Sequence, residues 1–120
     1  MTKVLVVEDD PFLQRTIQRA LELHKLPVAV TADGNKGIEL AKTEKPSVIL
    51  LNVTLSQMNG LEILEKLKNE DDTKKIPVIV LVNFTEEEVV AKAKLLGAAD
   101  VITKSDFDPD VIVNKVKAYL

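Results

Sequence analysis

Residues 4–11 read Val-Leu-Val-Val-Glu-Asp-Asp-Pro, and this stretch decides the fold. Four successive apolar residues with no polar alternation describe a strand buried on both faces, the habit of parallel sheets. Three acidic residues end the run at once. Asp10-Pro11 then opens a helix. An aspartate N-cap accepts from free backbone N–H groups, and proline at the first helical position forfeits no hydrogen bond. A buried strand running into a capped helix is the first half of a βαβ unit.

Working outward, the same alternation recurs. Residues 28–30, 48–51, 76–82 and 101–102 are further short apolar or β-branched runs. Helical stripes separate them. Leu13, Ile17, Ala20 and His24 form the first, which predicts His24 as a packing residue. Ile38 pairs with Ala41; Leu61, Leu64 and Leu67 follow, then Val89, Ala93 and Leu96, then Ile112, Val116 and Tyr119. Asp108-Pro109 repeats the capped start, Thr85-Glu86-Glu87-Glu88 reads as a capping box, and Gly97 falls where a left-handed C-cap is wanted. Residues 69–75 are the most polar stretch and predict a surface loop. Five strand–helix repeats in 120 residues imply one α/β domain spanning 1–120, with a parallel sheet covered on both faces.

Composition narrows the chemistry. The chain has no cysteine and one histidine, which excludes disulfides, thiolate metal sites and a Cys nucleophile, and disfavours a zinc centre. A net charge of −3 with both signs dispersed, and 3% aromatics, give no basic block for DNA and no stacking platform for RNA. No apolar run is long enough for a membrane span, and the first run turns acidic too soon for a signal peptide. The expected location is cytoplasmic, with no direct nucleic-acid or membrane partner, as a monomer or weak homodimer. No Ser-His-Asp set can be assembled around His24, so the chain is not expected to be an enzyme.

In open parallel sheets, ligands bind beyond the carboxyl ends of the strands. Those ends carry Glu8-Asp9-Asp10, then Asn52, then Val82-Asn83, then Thr103-Lys104. Clustered oxygen donors suit a hard cation such as magnesium, and an opposing lysine can balance an anion. Each residue alone has a plainer role: Asp10 caps a helix, Glu8 and Asp9 follow a strand as acids often do, and Lys104 is a surface lysine. Their joint placement is what favours a site.

These residues resemble a family. VLVVEDDP at 4–11, LLNVTLSQMNG at 50–60, PVIVL at 77–81 and LGAADVITK at 96–104 are similar to the motifs of response-regulator receiver domains, in order and at matching spacing. The resemblance implies a flavodoxin-like (βα)5 three-layer sandwich with strand order 2-1-3-4-5. It implies two-component phosphorelay signalling, in which a sensor histidine kinase phosphorylates an aspartate ending the third strand. It implies a magnesium site at Glu8, Asp9 and the backbone carbonyl of Thr54. Lys104 matches the phosphoryl-binding lysine and Gly60 the loop glycine. The partner face would include Lys92, Val101, Lys104 and Phe107, although Phe107 also reads as a staple on its own helix.

Four positions depart from the pattern. Asn52 stands at the phosphoacceptor position, Val82 at the hydroxyl position beside Asn83, Val101 at the aromatic switch position, and Ser105 where proline follows the lysine. A carboxamide is no nucleophile and cannot form an acyl phosphate. It also removes a charge from the metal site, so magnesium binding is expected to weaken. The resulting expectation is a phosphorylation-incompetent pseudo-receiver that works by contacts with a kinase or a downstream signalling protein. The alternatives are an ordinary receiver with one inactivating Asp-to-Asn substitution, or a designed receiver-like scaffold. Val82 and Val101 favour loss of the whole switch, because blocking phosphorylation needs only one change. A flavin or nucleotide is not expected, because the acidic first loop repels phosphate.

Overall fold

The computed structural model describes residues 2–53, 59–82, 87–104 and 108–120. Five strands alternate with five helices: β1 (Val4–Val7), α1 (Pro11–Leu23), β2 (Val28–Thr31), α2 (Gly34–Glu44), β3 (Val48–Asn52), α3 (Gly60–Asn69), β4 (Val78–Val82), α4 (Glu87–Leu95), β5 (Asp100–Thr103) and α5 (Pro109–Lys117). Every pairing is parallel, in the order β2-β1-β3-β4-β5. This is the flavodoxin-like arrangement that the resemblance implied.

The continuous apolar strands are the central ones. β1, β3 and β4 are buried along their whole length, while the edge strands β2 and β5 are mostly half-buried. Alternation along each strand divides the core. Leu5, Val7, Ile49, Leu51, Val78, Val80 and Val82 pack with residues of α2, α3 and α4 on one face. Val4, Val6, Val48, Leu50, Ile79 and Leu81 pack with residues of α1 and α5 on the other. The helices cover the sheet with apolar stripes, Leu13–Ile17–Leu21 on α1 and Ile112–Val113–Val116 on α5, while the expected Ala20 and Tyr119 are only partly buried beside them.

The caps follow the sequence. The Asp10 carboxylate accepts from the N–H groups of Phe12 at 2.9 Å and Leu13 at 3.3 Å, and Asp108 accepts from Asp110. Gly97 adopts φ +106°, which only glycine takes without strain. Thr85 and Glu86 of the expected capping box lie outside the described residues.

Three expectations are corrected. β4 begins at Val78 rather than 76, because the Ile76 N–H turns back to the Thr73 carbonyl at 3.0 Å and the Ile76 carbonyl accepts from the Lys68 ammonium at 2.6 Å. Residues 69–75 are not simply a surface loop: Asn69 ends α3, and Thr73 is fully buried, its hydroxyl donating to the Leu67 carbonyl at 2.6 Å. His24 does not pack in the core. It is the C-cap of α1 and exposed, with Nδ1 3.1 Å from the Lys117 ammonium. The left-handed turn at Lys25 (φ 60°) lets Leu26, not His24, join the core below α1.

Among the described residues no helix is long and apolar enough to cross a membrane.

Candidate functional site

The sheet gathers Glu8, Asp9, Asn52 and Lys104 at the carboxyl ends of its strands. β1 and β3 are neighbours, with Val7 opposite Leu51. One step beyond each lie Glu8 and Asn52. Glu8 stays in register because its N–H donates to the Thr31 carbonyl of β2 at 3.0 Å. Asn52 is the last residue of β3, opposite Leu81 of β4.

Gly60 fixes the far side of this end. Its N–H donates to the Val53 carbonyl at 3.2 Å. A Cβ there would stand 2.2 Å from the Val53 Cα, closer than any side chain can come. The loop glycine is therefore required by a backbone-to-backbone approach directly after Asn52.

The polar contacts converge on one atom. Glu8 Oε1 accepts from the Asn52 carboxamide at 3.0 Å and from the Asp10 N–H at 3.1 Å, with the Lys104 ammonium 3.9 Å away. The same Asn52 nitrogen lies 3.4 Å from an Asp9 carboxylate oxygen. Facing two carboxylate acceptors, the amide must present its NH2 group. Glu8 and Asn52 are buried, and the Lys104 side chain is 25% exposed. Burial pushes the Glu8 carboxyl above its ordinary value. The Asp10 N–H, the Lys104 charge and the Asn52 amide pull it down but less strongly, and the charge of Asp9 adds to the rise.

The remaining expected residues lie around this end of the sheet or outside the described residues. Val82 is buried in the α2–α4 side of the core, so β4 ends without a hydroxyl at this point. Val101 packs half-buried against the same cluster. Lys92 is exposed on α4. Thr54, Asn83, Ser105 and Phe107 lie outside the described residues. Gln14 was not anticipated: its side-chain amide donates to the Glu8 carbonyl at 2.9 Å and ties α1 to the acidic turn. Its position four residues after the N-cap was the available signal.

A second feature was also missed. Phe12 and Leu23 are 75% and 77% exposed, and with Arg15 and Arg19 they line a groove of about 660 Å³ that reaches Pro109. Their spacing puts all four on one face, turned away from the Leu13–Ile17–Leu21 stripe.

A divalent cation would find two hard carboxylates here, and Glu8 Oε2 is buried without a hydrogen-bond partner. Among the described residues no third acid joins them. The Asn52 carboxamide turns its NH2 group toward both of these carboxylates. The donor set thus fits magnesium with reduced charge, and only with the carboxamide turned to offer its oxygen.

Comparison with known proteins supplies the family. The chain is 30% identical to protein PilH of Pseudomonas aeruginosa over 120 residues, covering all of this chain and 98% of that one. It is 32% identical to the probable transcriptional regulatory protein TcrX of Mycobacterium tuberculosis, spanning 98% of this chain but 49% of the regulator. The structure of the chemotaxis protein CheY4 of Vibrio cholerae superposes with a TM-score of 0.90 at 25% identity, covering 100% of this chain and 99% of that one. The family model of the response regulator receiver domain matches residues 4–117. The chain therefore belongs to the response regulator receiver domains, the signalling modules of two-component systems.

Proposed function

We propose that residues 1–120 act as a pseudo-receiver: a cytoplasmic receiver module that engages signalling partners without accepting a phosphoryl group. The observation that carries this reading is the Asn52 carboxamide, which ends β3 and donates to Glu8 at 3.0 Å. We assign Asn52 to the phosphoacceptor position. A neutral amide there is too weak a nucleophile to attack phosphorus, and it removes the carboxylate charge that would otherwise help draw in a metal. Val82 supports loss of the whole switch, because it offers no hydroxyl to a phosphoryl oxygen. Val101 supports it too, because it has no ring to swing between an inward and an outward position.

Magnesium remains compatible with Glu8, Asp9 and the Thr54 carbonyl, at lower affinity than a three-carboxylate site would give. When bound it would neutralise the acidic pair. The Lys104 ammonium lies 3.9 Å from Glu8 Oε1, where it offsets part of the acidic charge.

Partner binding is assigned to the face carrying Lys92, Val101, Lys104 and Phe107. Lys92 is the exposed cation of this set, and a histidine kinase or a downstream signalling protein is the kind of partner proposed. Alanine at Lys92 and Val101 should weaken capture of such a partner; capture unchanged in both variants would move the interface elsewhere.

The experiment that tests the chemistry is intact mass after incubation with magnesium and a small-molecule phosphodonor, beside the Asn52→Asp variant. The expected result is no phosphoryl gain on either protein. A gain on the variant alone would identify an ordinary receiver silenced at one position. A gain on the chain as it stands would overturn the assignment.

A further inference from the structure

Six asparagines occur in the chain, and only Asn59 is followed by glycine. In an Asn-Gly pair the backbone nitrogen after the asparagine has no neighbouring side chain, so it reaches the carboxamide carbon with the least hindrance. Asn52, by contrast, is followed by the β-branched Val53, whose N–H donates to the Leu81 carbonyl at 3.1 Å. Asn59 is exposed and caps α3. Its Oδ1 accepts from the Leu61 N–H at 2.9 Å, and its main-chain carbonyl accepts from the Glu62 N–H at 3.1 Å. The Gly60 N–H donates to the Val53 carbonyl at 3.2 Å.

We propose that Asn59 is a site of spontaneous covalent modification: it deamidates through a succinimide when the start of α3 opens, and the isoaspartate that results dislodges the end of β3. The Gly60 N–H gives its proton to solvent base, and the nitrogen pair attacks the Asn59 Cγ. The Cγ=O pair moves onto the oxygen. As it returns, the Cγ–Nδ2 bond breaks, and Nδ2 takes a proton from water and leaves as ammonia. One C–N bond forms, one breaks, and a five-membered imide remains. Water then opens the ring. Attack at Cγ gives aspartate. Attack at the main-chain carbonyl breaks the original peptide bond and leaves the backbone routed through the side chain, one methylene longer. Nothing is oxidised or reduced.

Two contacts gate the first step. Ring closure must release the Asn59 cap from Leu61 and take the Gly60 proton from the Val53 carbonyl. The reaction therefore proceeds from locally opened chains, not from the closed helix start. The two products differ in consequence. Aspartate at 59 keeps an acceptor for the Leu61 N–H and brings negative charge to a helix N-terminus, where it is favoured. Isoaspartate must fit its extra methylene where there is no slack, because a Cβ on Gly60 would already stand 2.2 Å from the Val53 Cα. Val53 adjoins Asn52, so the displacement reaches the carboxamide that donates to Glu8.

The inference stands on this geometry and not on the pseudo-receiver reading. The test incubates the full chain in mildly alkaline buffer made with heavy-oxygen water, both folded and in denaturant. Proteolysis and tandem mass spectrometry then locate the label and separate isoaspartate from aspartate. The expected result is label at residue 59, gained several-fold more slowly in the folded chain than in denaturant. The isoaspartate fraction of the folded chain, isolated by ion exchange, should melt below the parent and shift the Asn52 side-chain amide resonances, whereas Asn59→Asp should melt at or above the parent. Absence of label at residue 59 in denaturant would overturn the proposal, as would equal rates in folded and denatured chains. An isoaspartate fraction that melts together with Asn59→Asp would overturn it too, because the added methylene would then be accommodated without moving Val53.

Discussion

The Asn52 carboxamide nitrogen lies 3.0 Å from Glu8 Oε1, linking side chains forty-four positions apart across β3 and β1. The contact puts a neutral donor where an acidic pair would otherwise face only further charge. Asn52→Asp removes that donor and sets a third carboxylate beside Glu8 and Asp9. Without added metal the variant should be less stable by about 1–3 kcal/mol, the usual cost of an unmade buried hydrogen bond with like charge added. Magnesium should restore much of the loss. Thermal melts with chelator and with magnesium check this; equal melting temperatures for both proteins in chelator would contradict it.

Glu8 gives the stability a pH dependence of definite sign. Burial raises its folded value above the ordinary 4.5. Below 4.5 both folded and unfolded chains hold the proton and the contribution is complete. As pH climbs from 4.5 through the folded value, the unfolded chain has already lost the proton that the folded chain retains, so this contribution falls away. Above the folded value it is flat. Glu8→Gln should lack that decline, and its stability relative to the parent should rise between pH 4 and pH 7. Denaturant titrations across that range measure the difference, and a difference that falls with pH would refute the sign.

Gly60→Ala tests the close approach after β3. The added methyl meets the Val53 backbone at 2.2 Å, and a backbone neighbour cannot swing aside. The cost should reach or exceed the ~1–3 kcal/mol typical of overpacking. Because Val53 follows Asn52, NMR shifts of the Asn52 side-chain amide should move as well. A variant as stable as the parent would show that the loop relaxes freely.

Thr73→Val keeps the shape of a buried side chain and removes its hydroxyl. The Leu67 carbonyl, which accepts from that hydroxyl at 2.6 Å, would lose its partner near the end of α3. A loss of about 1–3 kcal/mol in denaturant unfolding is expected. A change within ~0.5 kcal/mol, the range of ordinary surface substitutions, would mean that water replaces the bond.

Much of the architecture is written in local sequence. Continuous apolar runs named the buried central strands, Asp10-Pro11 and Asp108-Pro109 named two helix starts, and Gly97 named a helix end. Each depends on residues within one turn or one strand of each other, where periodicity and capping operate. The candidate site was legible as a set of strand ends, since a parallel sheet brings those ends together whatever the loops do.

What the tertiary structure decided is how those ends meet. Adjacent in sequence, Glu8 and Asp9 look alike, yet Glu8 is fully buried and Asp9 half-buried. No local pattern shows Lys104 reaching across β4 and β3 to Glu8, Gln14 holding the Glu8 carbonyl, or Leu26 taking the place expected of His24. The sequence by itself determined the elements and the chemistry available at their ends. Strand order and helix packing, which depend on contacts distant along the chain, decided which of those groups lose water and which nitrogen faces which oxygen.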